Sequence, residues 1–198
     1  LVAGRALFGG SLGGGALLPA PDGLGTLWEQ YLSTWRQVEL GSPAAAPPYL
    51  AVVAIVATLA LGDPGLAVAL LVLGSVPLAG LTAYLFSREI ARARAVRLWA
   101  SASYAFLPAV TGALAGGRLG TCVAAVLFPL LALAAVRMVR SARSGEGSWG
   151  SAWATGLLLA VITAFVPLAF VLAAVLGVVA VAVYRERLQL LVRVATVL

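Results

Sequence analysis

The stretch from Leu66 to Arg97 constrains this chain more than any other. Leu66 to Phe86 is an apolar run of about 21 residues, and a helix of that length crosses the roughly 30 Å hydrocarbon core of a bilayer. Four arginines follow within a short loop: Arg88, Arg92, Arg94 and Arg97. Each arginine costs roughly 2.5–3.5 kcal/mol at a bilayer centre, so the loop must lie outside the hydrocarbon. Arginine-rich loops mark the cytoplasmic side, which runs the expected helix 66–86 from outside to inside. The chain then turns apolar again over 98–115 and returns outward.

Composition supports the same class. Apolar residues make up 62% of the chain and charged residues 10%, whereas a soluble domain carries about 25% charge. The runs are continuously apolar and do not alternate, so helices are expected and a β-barrel is not. The expected fold is all-α, a polytopic transmembrane helical bundle. Its 13 basic residues are all arginine and give a net charge of +6. Most lie in short loops between apolar runs, so they speak for topology and not for nucleic acid. With no histidine and a single cysteine, Cys122, no zinc or haem site is indicated.

In chain order, 1–18 reads as the end of a first helix, and 19–64 as an outer loop. The loop holds one amphipathic pattern: Leu24, Leu27, Trp28, Tyr31, Leu32 and Trp35 recur at helical spacing, with polar residues opposite. This predicts a helix lying in the membrane interface, with Asp22 or Thr26 as N-cap and Thr26 and Glu29 as a capping box. The apolar stretch 48–62 is too short to cross and is expected to be interfacial or re-entrant. Further membrane helices are expected at 121–136, 153–166 and 167–184, with 153–184 as one kinked helix the alternative to two. The run 188–198 reads as the start of another helix, and the chain as a piece of a longer protein. Pro77, Pro108, Pro129 and Pro167 interrupt the apolar runs and free backbone carbonyls there.

No phosphate-binding loop, dinucleotide fingerprint or nucleophile elbow is present. Nor is there an ionisable group deep in an apolar run of the kind coupled transporters bury. The candidate site is therefore the outer face, with Asp22, Glu29, Arg36, Asp63 and Arg118. Asp22 suits a base or a metal ligand at the membrane surface, or a helix cap. Arg118 suits a phosphate, which a guanidinium grips in bidentate fashion, or a snorkelled place in the interface. Trp28, Tyr31 and Trp35 suit stacking on a sugar or isoprenoid, or an aromatic belt. The arginines of 88–97 are topology determinants, with anionic lipid headgroups as a second role.

The stretches GGALLPAPDG, LWEQYL, LGSPAAAPPYLAV, VPLAGLTAY and YAFLPAVTGALAGGRLGT carry a resemblance. The chain resembles the membrane region of actinobacterial cell-wall glycosyltransferases of the polytopic GT-C type, including those fused to family 2 glycosyltransferases. The resemblance implies a polyprenyl-phosphate sugar donor, a glycan acceptor and an extracytoplasmic site, with Asp22 as catalytic base. It also implies a multi-pass protein of a bacterial plasma (inner) membrane and leaves a divalent metal open. On the chemistry of the residues themselves, substrate binding at this site is expected of Arg118, Arg36, Glu29, Trp28 and Trp35. The match departs in two respects: Asp22 has no neighbouring acid, and the Asp-x-Asp motif of the family 2 domain is missing from this chain. A non-catalytic membrane scaffold and a transporter or lipid flippase are the competing readings.

Overall fold

The computed structural model describes residues 23–33, 46–144, 149–183 and 196–197. Over these residues the chain is helical, with no strand. Asp22, Trp35 and Arg36 lie outside the described residues, as do all of 1–18 and most of 188–198.

Helix α1 (Leu24–Leu32) carries the amphipathic pattern. Its cap differs from expectation. Gly23 is the N-cap and offers no side chain, while the Thr26 hydroxyl donates back to the Gly23 carbonyl at 2.6 Å. The capping box of Thr26 and Glu29 therefore does not form. One side of α1 is buried: Leu27 is 1% exposed and packs with Val53, Ala54, Ala57, Ala67, Val68, Val72 and Leu114. Such small residues let helices approach closely, which is how association is gained where lipid removes the hydrophobic drive.

Helices α2 (Tyr49–Leu59) and α3 (Pro64–Leu73) meet at a bend of 103°. The bend is built locally. Leu61 (φ 60°) and Gly62 (φ 81°) turn left-handed, and the Gly62 amide donates to Ala57. Asp63 then caps α3, accepting from the amides of Gly65 at 2.8 Å and Leu66 at 3.1 Å, ahead of Pro64 in the first turn. A leucine at positive φ costs about 1 kcal/mol, which the flanking helices must offset.

The run 66–86 does not form the single helix expected from its length. It divides at Gly74 into the end of α3 and helix α4 (Ser75–Ser87). The reason is local. Pro77 has no amide to offer the carbonyl of Leu73, so the hydrogen-bond ladder fails there. At Gly74 a Cβ would lie 2.4 Å from the Leu70 carbonyl oxygen, so only glycine fits this junction without a shift.

Helix α5 (Arg94–Ala105) and helix α6 (Pro108–Ala115) replace one expected helix at 98–115. Pro108 forces Leu107 into an extended conformation (ψ 139°), which interrupts the helix between them. Helix α7 (Leu119–Ser144) runs well past the expected 121–136. Pro129 lies inside it without ending it. The proline removes the donor to the Ala125 carbonyl, and the Tyr104 hydroxyl of α5 donates to that carbonyl at 2.8 Å instead. Helix α8 (Gly150–Phe165) and helix α9 (Leu168–Val183) divide at Val166, the residue before Pro167.

Helix α7 is the centre of the packing, with α8 and α4 against it and α5 against α4. A Cβ at Gly80 of α4 would meet the Ala105 Cβ of α5 at 3.3 Å, so these two helices touch closely. Among the described residues two segments are long and apolar enough to cross a membrane: Arg94–Ala115, taking α5 and α6 together, and Leu119–Ala142. The bent pair α2–α3 makes a third if it counts as one span.

Candidate functional site

The charged residues separate to the two ends of α7. Arg118 precedes its first turn, while Arg137 and Arg140 lie in its last turns. Along the helix axis that is a separation of about 27 Å, close to the thickness of a bilayer's hydrocarbon.

At the Arg118 end, the turn is fixed by backbone chemistry. Gly117 is left-handed (φ 64°), its amide donates to Leu114 at 3.3 Å, and the Arg118 amide donates to Ala113 at 2.9 Å. This is a helix-terminating motif that glycine makes without strain. It leaves the Arg118 side chain exposed, with no hydrogen bond or ion pair to another described residue. Leu114 and Leu119, on either side of the turn, belong to the same apolar cluster that receives Leu27 and Trp28 of α1. Phe165 joins it and stacks at a tilt on Tyr49, ring centres 6.0 Å apart. Trp28 is half-buried and meets Tyr31 edge-on at 6.3 Å.

Of the residues expected to form the site, Trp28 packs against the cluster that Leu119, the chain neighbour of Arg118, also joins; no hydrogen bond or ring contact links Trp28 to Arg118 among the described residues. Glu29 is exposed on α1 and makes no side-chain bond to a described residue. Asp63 serves as the cap of α3. Asp22, Arg36 and Trp35 fall outside the described residues. Among the described residues no three metal-ligating side chains come together that could hold a metal ion.

At the opposite end lies a network that reading the sequence did not reveal. Glu89, between α4 and α5, accepts two bonds from Arg137, both at 3.1 Å through Nε and Nη2. It also pairs with Arg140 through its other carboxylate oxygen, and Arg140 reaches the Glu89 backbone carbonyl at 3.2 Å. Only 20% of the Glu89 side chain is exposed. Hydrogen bonds from Arg137 first, then Arg140, hold its carboxyl below the usual value of 4.5. Arg97 braces the same loop, donating through Nε to Ala91 and through Nη2 to Arg92, both at 2.8 Å. One signal for Glu89 stands in the sequence: it is the sole acid in SREIARARAVR, amid four arginines.

Fold and charge together suggest a helical membrane protein: among the described residues two or three segments are long and apolar enough to cross a membrane, with Arg118 at one end of α7 and Arg137 and Arg140 toward the other. No family model, curated protein or solved structure matches the chain.

Proposed function

We propose that this chain is the membrane-embedded part of a cell-envelope glycosyltransferase, transferring a sugar from a polyprenyl-phosphate donor on the outer face of the plasma membrane. The observation that carries the reading is Arg118. Its exposed guanidinium stands on a fixed glycine turn, beside the cluster that seats Trp28 and a membrane's thickness away from the arginine-rich loop. In this reading Arg118 grips the donor phosphate with two parallel N–H donors. Trp28 offers an apolar face to the sugar or the first isoprene unit.

Asp22 is assigned the base by resemblance. The acceptor hydroxyl oxygen attacks the anomeric carbon, Asp22 takes the hydroxyl proton, and the bond to the phosphate breaks with its electrons leaving on the phosphate oxygen. Arg118 offsets the negative charge that grows there.

The test is sugar transfer by the full protein carrying this chain. Asp22→Asn and Arg118→Ala are each expected to abolish most transfer at normal expression. Undiminished transfer in Asp22→Asn removes the base from this region. That outcome favours a second reading, a membrane scaffold for a cytoplasmic glycosyltransferase domain. Support for that alternative comes from Glu89, an acid tied into a polar network at the arginine-rich end.

A further inference from the structure

The described arginine side chains of the Glu89 end fall into three groups by what they touch. Arg137 and Arg140 are neutralised by Glu89. Arg97 is spent on the carbonyls of Ala91 and Arg92. Arg88, Arg92 and Arg94 are exposed, and their guanidinium groups make no bond to any described residue. Glu89 is already shared by two arginines, so no described acid is left for them.

The fold also sets Arg94 against its own helix. It lies in the first turn of α5, where the helix dipole is positive and a cation is disfavoured. Among the described residues these three cations are unpaired on a braced loop, one of them at the wrong end of a helix, and constitute an excess of positive charge. The ground beside them is apolar and uncovered. Ile90 is 70% exposed, and Trp99, just inside α5, is 78% exposed together with Val96 and Leu98. This is the start of the segment Arg94–Ala115 that is long and apolar enough to cross a membrane. The arginines therefore fall at headgroup depth and Trp99 about 7 Å deeper, where an indole is at home.

We propose that the α4–α5 loop binds the phosphate of an anionic phospholipid, with Arg88, Arg92 and Arg94 as the phosphate ligands and Trp99 against the acyl chains. The occupant is a membrane lipid and not a soluble phosphate or an acidic protein, because the cations border an uncovered apolar surface on the same helix. Glu89 and Arg97 are positioning residues: they hold the loop's shape and leave the other three arginines unpaired. This inference is independent of glycosyl transfer.

The experiment uses the full protein in nanodiscs of phosphatidylglycerol and phosphatidylcholine in equal parts. Lipids retained on release are counted by native mass spectrometry. The unaltered protein is expected to retain phosphatidylglycerol over phosphatidylcholine by roughly tenfold. R88Q/R92Q/R94Q loses that preference, and R88K/R92K/R94K keeps most of it. Membrane insertion is checked by labelling an Ile90→Cys marker. If the triple glutamine variant does not insert, Arg88→Gln and Arg94→Gln decide, each expected to lose part of the preference. A correctly inserted glutamine variant that keeps the full preference overturns the proposal. So does equal retention of the two lipids by the unaltered protein, or loss of retained phosphatidylglycerol on adding inorganic phosphate at low concentration.

Discussion

The two ends of α7 handle arginine in opposite ways. At one end the backbone does the work: Gly117 turns left-handed, closes the helix before it and leaves the Arg118 side chain without a partner among the described residues. At the other, side chains do it: Glu89 gathers Arg137 and Arg140 from far along the sequence. A cation held ready by a rigid turn is suited to a ligand, whereas a cation already held by a carboxylate is suited to structure. The contrast lies in the company each arginine keeps, since residue type is the same at both ends.

The sharpest way to break this contrast is Arg118→Ala in the full protein. Sugar transfer is expected to fall roughly a hundredfold with thermal stability unchanged, because the side chain supports no other described residue. A fall in stability alone would make Arg118 structural, like its counterparts at the far end. Next comes Gly117→Ala, which places a Cβ in left-handed backbone. We expect a loss of about 1–2 kcal/mol in a detergent unfolding assay.

Tyr104→Phe probes the middle of the bundle and is expected to cost about 1 kcal/mol, the worth of a hydrogen bond inside a membrane protein. In Pro129→Ala the Ala125 carbonyl regains its own helix donor, so the same tyrosine change should then cost little. A double-mutant cycle reads the coupling. Glu89→Gln has the smallest effect on stability at neutral pH, because its partners are well exposed and screened. Its signature is in pH. The folded protein holds this carboxyl below 4.5, so its contribution is complete above that value and fades as pH falls through the lowered one. The glutamine variant should lack that acid limb in thermal melts recorded from pH 6 down to about 3.

Much of the fold was legible where a residue dictates its own backbone. Pro108 and Pro167 each open a helix and push the residue before them out of helical geometry, as proline must. Gly116 and Gly117, side by side between two apolar runs, mark the turn before Arg118 for the same kind of reason. Pro129 misleads, because the bond that rescues its helix comes from Tyr104, 21 residues back along the chain. The division at Gly74 was hidden inside a run whose length alone fits a bilayer. It depends on a proline three positions on and on the close approach of the Leu70 carbonyl. In the site, Arg118 could be singled out because it stands at a turn between apolar runs. Glu89 could not be paired from sequence, since its partners are 48 and 51 residues away and nothing local points to them.

The bond from Tyr104 to Ala125 has a mechanical consequence. A phenol reaching one particular carbonyl pegs α5 to α7 at a single axial register, and sliding either helix by one residue would withdraw the peg. These two helices must therefore travel together as one strut. The other breaks in the helices, at Gly74 and at Val166, carry no such cross-helix peg to a carbonyl among the described hydrogen bonds.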